Sequence, residues 1–419
     1  MRPSLVEEVL NSLVKSKNVL LYGPPGTGKT WLLSQLIERL KSESLSSSGR
    51  ADKGRPALIL GEDSPFGSVV DKNGSVSESK SSNSISNETL PRDLTIEWLT
   101  FHQSYSYEDF IIGKKPKPAD GGMMLEPHFG TLMSLAVSLD THDKEKGCLI
   151  IIDEINRANA SQVFGEFITL LDPSYRRTIK DSKNDRALPV KFPGIEYDSK
   201  GISEGIKMLR GGSLFQLPEN WTFPEHVYIL ATMNSVDKAA LPLDSALTRR
   251  FHRIEMRPNI DLLAEALSVD MSDLTDKVKK IRSKVLSWED LTSEETATLL
   301  LDRLNVFIAS DIGSDFELGH ALVWNVVEAE KELRWSALIS AWDNMLYPQL
   351  IDKFSGRNDA LKTILKIHPN SVTMHAFTER SQIGHNEDDI EIETTSICFK
   401  LLKNIDEQQA IRVLKNLAI

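Results

Sequence analysis

Cysteine and long apolar stretches are scarce in this sequence. Only two cysteines, Cys148 and Cys398, occur in 419 residues, and neither has neighbours at the spacing of metal ligands. No stretch approaches the roughly 18 uninterrupted apolar residues of a membrane span. The segment Met1–Val14 includes the acids Glu7 and Glu8 and has no apolar run of the signal-peptide kind. These absences predict a reduced, cytoplasmic location without membrane attachment.

Excess positive charge is also absent. The chain has 49 lysines and arginines against 60 aspartates and glutamates, for a formal net charge of −11. Such a chain has no overall basic field to attract the phosphate backbone of nucleic acids. We therefore expect any contact with DNA to be local or to be supplied by a partner. The hydrophobic fraction of 40% allows a buried core, and 419 residues suffice for two or three domains.

A glycine-rich loop near the start of the chain carries the first chemical signal. The apolar run Asn18–Tyr22 precedes it, and Trp31–Leu40 follows it with helical periodicity. Strand, loop and helix in this order fit the phosphate-binding pattern G-x-x-x-x-G-K-[S/T], in which backbone N–H groups face phosphate oxygens. Lys29 is predicted to reach the β and γ phosphates, and the Thr30 hydroxyl to bind Mg²⁺. The predicted loop consists of Gly23, Pro24, Pro25, Gly26, Thr27, Gly28, Lys29 and Thr30.

A second signal is an apolar run that stops at two acids. Residues Cys148–Ile152 have the pattern of a buried parallel strand, and Asp153 and Glu154 follow directly. A carboxylate at the end of such a strand can bind Mg²⁺ or its water shell, and its neighbour can polarise an attacking water molecule. We therefore predict that Asp153 is the metal-side residue and Glu154 the catalytic base. Downstream of a phosphate-binding loop, this interpretation is preferred to a pair of merely solvated acids.

Polar residues also follow a third apolar run, Val227–Met233. Asn234 ends this run, on a strand expected between the two described above, where its amide can orient the attacking water. Asp237 is predicted to assist it. Arg249 and Arg250 precede a further short strand, and an arginine offered across a subunit boundary stabilises charge on the transferred phosphoryl group. The sequence thus predicts a P-loop nucleoside triphosphatase of the AAA+ class.

Composition divides the chain into regions. Residues 1–258 are predicted to form the α/β nucleotide-binding domain, a parallel sheet flanked by helices. A Ser-rich insertion at about 41–94 buries too little apolar surface to fold and is expected to be largely disordered, with a small ordered piece near 57–60. Helical patterns without strand runs follow and indicate a small helical lid at 259–355. Residues 356–419 form a C-terminal extension without an assigned role.

Taken together, these motifs resemble a known family. The chain is similar to the McrB-type AAA+ GTPases of the dynein-related branch, which are the motor subunits of modification-dependent restriction systems. The resemblance spans roughly residues 18–355. The stretches that carry it are Gly23–Thr30, Phe101–Phe110, Ile151–Asn159, Phe164–Glu166, Thr232–Lys238, Leu243–Phe251 and Gly319–His320.

The resemblance implies a homo-oligomeric ring, expected to be hexameric, with nucleotide at the subunit interfaces. It implies GTP, or else ATP, as the substrate together with Mg²⁺. It also implies a McrC-like partner that stimulates hydrolysis and carries the nuclease, so that contact with DNA is indirect. In the family's Met-Asn-x-x-Asp-Arg signature the Asn and Asp help to position water, which implies that role for Asn234 and Asp237.

The sequence departs from the family in two places. Lys238 stands where the family has arginine, and lysine keeps the charge but lacks the planar fork of the guanidinium group. The phosphate-binding loop begins within the first few dozen residues, which leaves no room before it for the domain that reads modified DNA in the family's restriction enzymes. Direct recognition of methylated DNA is therefore not expected.

Two other functions fit parts of the pattern. An ATP-dependent AAA+ remodeler or chaperone of the MoxR or dynein-like branch would use the same motifs, because phosphate motifs do not read the base. Base preference separates it from a McrB-like motor. A nucleotide-dependent assembly scaffold with little turnover would have no need of Glu154, Asn234 and Arg249. The presence of all three favours hydrolysis.

Overall fold

The chain forms two compact units in this computed structural model. The first unit comprises Met1–Tyr22 and Lys29–Glu255, and the second comprises Gly23–Gly28 and Met256–Ile419. The structure describes residues 5–45, 57–60, 90–91, 93–119, 122–139, 146–178, 186–192, 194–209, 213–237, 241–385 and 391–419. Within these ranges, no helix is long and apolar enough to cross a bilayer. The cytoplasmic location stays a prediction.

The first unit alternates strands and helices along the chain. Its strands are β1 (Asn18–Gly23), β2 (Ala57–Leu60), β3 (Asp93–Thr100), β4 (Ile112–Ala119), β5 (Gly122–Phe129), β6 (Lys146–Asp153), β7 (Ile202–Lys207), β8 (Leu214–Pro218), β9 (Val227–Asn234) and β10 (His252–Glu255). Its helices are α1 (Leu5–Ser16), α2 (Lys29–Leu45), α3 (Tyr107–Phe110), α4 (Thr131–Ser138), α5 (Ala160–Phe164), α6 (Phe167–Leu170) and α7 (Ser245–Thr248).

A six-stranded sheet in the order β10-β1-β9-β6-β3-β2 forms the centre of this unit. The pairs β1–β10, β2–β3, β3–β6 and β6–β9 are all parallel. Strands β6 and β9 are almost continuously buried, as expected for strands covered on both faces. The predicted α/β class with a parallel sheet flanked by helices is confirmed. Because β9 lies between β1 and β6, the carboxyl ends of these three strands are neighbours at one edge of the sheet.

A buried arginine holds the amino ends of strands β1 and β9. Arg176 is 0% exposed, and its guanidinium donates hydrogen bonds to the Oδ1 of Asn18 at 2.9 Å and to the carbonyl of Val227 at 2.7 Å. Two further donors reach the carbonyls of Leu170 at 2.6 Å and Leu171 at 2.8 Å. The starts of β1 and β9 are therefore tied to α6 through one side chain. A buried charge is tolerated here because hydrogen bonds satisfy it.

A second sheet, in the order β4-β5-β7-β8, was not predicted. Strands β4 and β5 pair antiparallel over their whole length. Their sequences hide this pairing because β4 contains Pro116 and Pro118, and β5 contains Pro127. Proline removes a donor from the ladder and is confined to sheet edges or irregular positions, so such a segment does not have the pattern of a strand.

The predicted insertion at about 41–94 falls mostly outside the described residues. Strand β2 lies at the small ordered piece that was expected near 57–60, and it pairs with β3. Residues 46–56, 61–89 and 92 are not described, so the predicted disorder of this segment stays a prediction.

The second unit is mainly helical, as predicted. Its helices are α8 (Ile260–Ala266), α9 (Met271–Arg282), α10 (Ser293–Asp311), α11 (Trp324–Glu328), α12 (Arg334–Ala341), α13 (Tyr347–Lys353), α14 (Asn358–Ile364) and α15 (Glu407–Ala418). Strands β11 (Phe377–His385) and β12 (Glu391–Phe399) form an antiparallel pair in the segment 356–419, to which the sequence analysis assigned no role. Both strands are rich in Glu, Ser and Thr, so no apolar run indicates them.

Residues 356–419 share the hydrophobic core of the second unit. Leu361 and Val413 are buried in the same cluster as Leu300 of α10. The Arg303 guanidinium of α10 donates to the carbonyl of Leu417 at 2.8 Å. Positive charge at the end of α15 complements the negative end of its helix dipole. The C-terminal segment is therefore integrated with the helices that precede it.

Candidate nucleotide site

The loop after β1 needs glycine at three positions. Gly26 and Gly28 have φ angles of +76° and +83°, in the left-handed region that side chains disfavour. Gly23 has a φ angle of +152°, and a Cβ atom there would lie 2.2 Å from the carbonyl oxygen of Met256. Pro25 is half-buried. A loop of this composition can wrap a phosphate group with main-chain N–H groups.

The middle of the loop is held by hydrogen bonds. The Thr27 hydroxyl donates to the carbonyl of Pro24 at 3.0 Å. The carbonyl of Gly26 accepts from the N–H of Ala321 at 3.0 Å. The loop conformation is thus fixed both by the loop itself and by a segment of the second unit.

Lys29 and Thr30 begin α2, directly after the loop. Lys29 is only 8% exposed, and burial lowers the pKa of its ammonium group to about 8. Attraction to Glu154 and Asp153 acts in the opposite direction, which shows that the lysine lies in the field of both carboxylates. Thr30 is exposed. The predicted phosphate-binding lysine and the predicted acids therefore belong to one electrostatic cluster.

Asp153 ends β6, and Glu154 is the first residue after it. Glu154 adopts left-handed φ and ψ angles of 56° and 49°, a conformation that costs a non-glycine residue about 1 kcal/mol. The Thr232 hydroxyl of β9 donates to the Asp153 carboxylate and accepts from the Glu154 N–H at 3.1 Å. One hydroxyl therefore fixes the positions of both acids.

Asn234, at the end of β9, contacts the predicted base directly. Its side-chain amide donates a hydrogen bond to Oε1 of Glu154 at 2.5 Å. Its main-chain carbonyl accepts one from the side-chain amide of Asn156 at 3.0 Å. Burial raises the pKa of the Glu154 carboxyl, the neighbouring acids raise it further, and Arg157 and Lys29 lower it. A carboxylate with a raised pKa is a better proton acceptor for water than an exposed one.

Arg157 is a member of this cluster that the sequence did not single out for a role. Its guanidinium lies 3.0 Å from the carboxylate of Asp237 and 3.7 Å from Oε2 of Glu154. The structure thereby brings Asp237 into the cluster through an arginine. The one signal in the sequence was the spacing of three residues between Glu154 and Arg157, which places two side chains on the same side of a helical turn. Lys238 lies outside the described residues.

The two predicted arginine-finger candidates differ in their surroundings. The Arg250 side chain is half-buried, and it donates to the carbonyl of Ala246 at 2.6 Å, within its own helical turn. Its main-chain carbonyl also accepts from Asn18 at 3.1 Å. Arg249 is exposed. Arg249 can therefore reach outward, whereas Arg250 supports the local structure.

Two sequence motifs without an assigned role meet beside these strands. The Tyr107 hydroxyl donates to Oε1 of Glu166 at 2.7 Å, and burial together with this contact raises the pKa of the tyrosine. A Cβ atom on Gly165 would lie 2.9 Å from the Tyr107 ring. Phe110 and Phe164 also pack edge to face, with ring centroids 5.0 Å apart. These contacts bring the stretches 101–110 and 164–166 together in the fold.

The oxygen donors fit Mg²⁺ bound with a nucleotide. Mg²⁺ is usually held by one or two protein ligands, while phosphates and water supply the rest. The Asp153 carboxylate and the Thr30 hydroxyl are ligands of this kind. No group of three or more His, Cys, Asp or Glu side chains that could hold a metal alone occurs in the described part of the chain.

Comparison with known proteins points to one family. The model of the AAA domain (dynein-related subfamily) matches residues 88–251. The chain is 28% identical over 256 residues to the type IV methyl-directed restriction enzyme EcoKMcrB subunit of Escherichia coli (strain K12), covering 61% of this chain and 39% of that protein. It is 28% identical over 221 residues to the type II restriction enzyme BsuMI component YdiS of Bacillus subtilis (strain 168), covering 50% and 56%.

A solved structure from Cytophaga hutchinsonii, described as that of a candidate ATPase, is 12% identical. The structural alignment covers 86% of this chain and 78% of the chain in that structure, with a TM-score of 0.26. The aligned part of the chain spans only 39% of the length of the Escherichia coli protein and 56% of that of the Bacillus subtilis protein. The chain therefore contains an AAA domain of the dynein-related subfamily at residues 88–251 and is similar, at modest identity, to McrB-type proteins of restriction systems.

Proposed function

We propose that this protein hydrolyses GTP or ATP, as the Mg²⁺ complex, in an oligomeric ring that drives a partner nuclease or remodelling complex. The observation that carries the proposal is the hydrogen bond from Asn234 to Glu154, next to Asp153 and within the field of Lys29. An oriented carboxylate with a raised pKa beside a phosphate-binding lysine is the arrangement that water-mediated phosphoryl transfer requires.

The nucleotide is bound through its phosphates. The loop Gly23–Thr30 supplies N–H groups, Lys29 supplies a positive charge, and Thr30 and Asp153 hold Mg²⁺. Because Lys29 is buried, water no longer stabilises its positive charge. A bound triphosphate supplies that stabilisation instead, which strengthens nucleotide binding. These groups read phosphate and not base, so the preference for GTP rests on the family resemblance.

Glu154 then activates water. The carboxylate takes a proton as the water oxygen attacks the γ phosphorus, and the bond from the γ phosphorus to the β–γ bridging oxygen breaks. The products are the nucleoside diphosphate and inorganic phosphate. Asn234 holds one carboxylate oxygen and so orients the base. Asp237 acts through Arg157, which lies between the two carboxylates.

A ring is supported by the exposure of Arg249. An exposed arginine at this position is available to the γ phosphate of a nucleotide bound by a second copy, where it would stabilise developing charge. A hexamer is the expected size. The two relatives are described as a subunit and a component of restriction enzymes, which supports a multi-subunit complex with a nuclease. The net charge of −11 favours contact with DNA through that partner.

The test is steady-state phosphate release with GTP and ATP side by side, for the chain alone and with the product of an adjacent gene. Lys29→Ala serves as the control without phosphate binding. Preference for GTP with stimulation by the neighbour supports the McrB-like motor. Preference for ATP without stimulation favours the MoxR or dynein-like remodeler. Nucleotide binding without turnover in either condition favours the assembly scaffold.

A further inference from the structure

Asn156 is a buried asparagine in the turn that follows Glu154. It is 4% exposed and belongs to the 3-10 turn Ile155–Arg157. Its side-chain amide donates a hydrogen bond to the main-chain carbonyl of Asn234 at 3.0 Å. Its own main-chain carbonyl accepts one from the N–H of Leu241 at 2.8 Å. Asn156 therefore contacts the chain at the point where β9 ends and again at Leu241.

The ladder of main-chain pairs between β6 and β9 does not extend to Asn234. The last paired residues of the two strands are Ile152 and Ala231. Asn234 lies three residues beyond Ala231, although it is the last residue of β9. On the side of β9 that faces β6, the position of the Asn234 main chain therefore depends on the contact with Asn156.

A cavity of about 410 Å³ borders the end of β9. The residues that line it include Asn156, Met233, Ser235 and Asp237. Close packing normally holds a main-chain segment in one position. Because the packing is incomplete beside a cavity, hydrogen bonds have more influence on where Asn234 lies.

Only one end of the Asn156 amide is satisfied. Its Oδ1 atom is buried and has no hydrogen-bond partner in the described part of the chain. An unpaired buried acceptor costs free energy, and this cost offsets what the bond to Asn234 contributes to stability. Asn305 of α10 differs, because its amide donates to the carbonyl of Leu318 at 2.9 Å and accepts from the N–H of Leu318 at 2.6 Å. Stability alone therefore gives little reason for an asparagine at position 156.

We propose that Asn156 is a positioning residue, which holds the main chain of Asn234 so that the Asn234 side chain meets Oε1 of Glu154. The two hydrogen bonds hold one residue by its main chain and by its side chain, from two positions of the same turn. Release of the main chain would displace the Asn234 amide and free the Glu154 carboxylate to turn. A misplacement of about 1 Å in an active site can lower the rate about 100-fold. This inference rests on the proposed function, in which Glu154 accepts a proton from water.

A double-mutant cycle tests this role. Asn156→Leu keeps the approximate shape of the side chain and removes the donor, and Asn234→Ala removes the amide through which Asn156 is proposed to act. Single-turnover phosphate release from GTP and from ATP is measured for the parent, both single variants and the double variant. Calorimetry gives the dissociation constant of each nucleotide, and thermal unfolding gives the midpoint. Asn305→Leu is the control for the loss of a buried asparagine.

We expect Asn156→Leu to slow hydrolysis about tenfold or more while the dissociation constant stays within about twofold, because the phosphate contacts remain. In the Asn234→Ala background the same substitution should change the rate by less than about twofold, since two effects transmitted through one group do not add. The midpoint of Asn156→Leu should lie within about 2 °C of the parent, whereas Asn305→Leu should lose about 4 °C or more. A purely structural role would slow hydrolysis equally in both backgrounds.

Two failures are distinguishable. If the parent chain releases phosphate from neither GTP nor ATP, the proposed function falls and this inference with it. If the parent hydrolyses nucleotide, a parental rate in Asn156→Leu, or an equal loss of rate in both backgrounds, overturns this inference alone. Should Asn156→Leu unfold early, Asn156→Ser goes through the same cycle under the same criteria, because its hydroxyl is too short to replace the amide.

Discussion

The side-chain amide of Asn234 donates a hydrogen bond to the carboxylate of Glu154, although the two residues are 80 positions apart in sequence. The contact exists because β9 is the neighbour of β6 in the sheet. It engages Oε1 of the carboxylate, while Oε2 lies 3.7 Å from Arg157. The two carboxylate oxygens are thus distinguished by their partners, which fixes the orientation of the group.

Replacing Glu154 with Gln should abolish turnover while nucleotide binding persists, because the amide keeps the shape but cannot accept a proton. We expect kcat to fall by a factor of about 100 or more. Phosphate release and calorimetric binding are measured on the same preparation. Continued hydrolysis at the parental rate would remove Glu154 from the role of base.

Replacing Arg157 with Ala should move the acid limb of the kcat profile to higher pH. Turnover needs the Glu154 carboxylate in its charged form, and Arg157 lowers the pKa that burial raises. Without the arginine this pKa rises further, so activity is lost at a higher pH as the solution is acidified. The profile is compared with that of Arg357→Ala, which removes an exposed arginine of the second unit. An unshifted limb would mean that Glu154 does not set it.

Arg249→Ala and Arg250→Ala should fail in different ways. We expect Arg249→Ala to reduce turnover by a factor of at least about 10 with an unchanged thermal midpoint, because its side chain is exposed. Arg250→Ala should lower the midpoint, because it removes the contact with Ala246. Mixing Arg249→Ala with Lys29→Ala subunits should restore part of the activity when the arginine acts on a neighbour. Absence of any recovery in the mixture argues against action in trans.

Nucleotide binding should take up a proton above pH 8. Burial lowers the pKa of Lys29 to about 8, and a bound triphosphate favours the charged ammonium form and raises that pKa. At a pH of about 8.5 we expect an uptake of roughly 0.7 proton per nucleotide. Calorimetry in two buffers of different ionisation enthalpy measures it. Lys29→Arg should show none of this uptake, since arginine stays protonated, and equal uptake by both proteins would contradict the assignment.

Replacing Arg176 with Met should destabilise the first unit by roughly 3–5 kcal/mol, since three carbonyl groups and Asn18 lose a buried donor. The free energy of unfolding is measured in urea. Arg249→Ala is the control, because exposed substitutions usually change stability by less than about 0.5 kcal/mol. A loss as small as that of the control would show that the strands do not depend on this contact.

Much of the candidate site could be indicated from the sequence because its signals are local. Glycines at fixed spacing, a lysine after them and two acids at the end of an apolar run are each readable within about ten residues. Arg157 and Thr232 were not found in this way. Thr232 acts on Asp153 and Glu154 from another strand, and its hydroxyl carries no signal until the strands are paired.

The sequence by itself determined the α/β class and indicated the glycine-rich loop and the two acids as candidates, since periodicity and backbone preference are properties of neighbouring residues. Only the tertiary structure decided that Asn234 holds Glu154, that Arg157 links Glu154 to Asp237, and that His320 faces Gly28. The strands β4, β5, β11 and β12 also emerged only there. Such contacts depend on strand order and packing between distant segments, which local patterns do not encode.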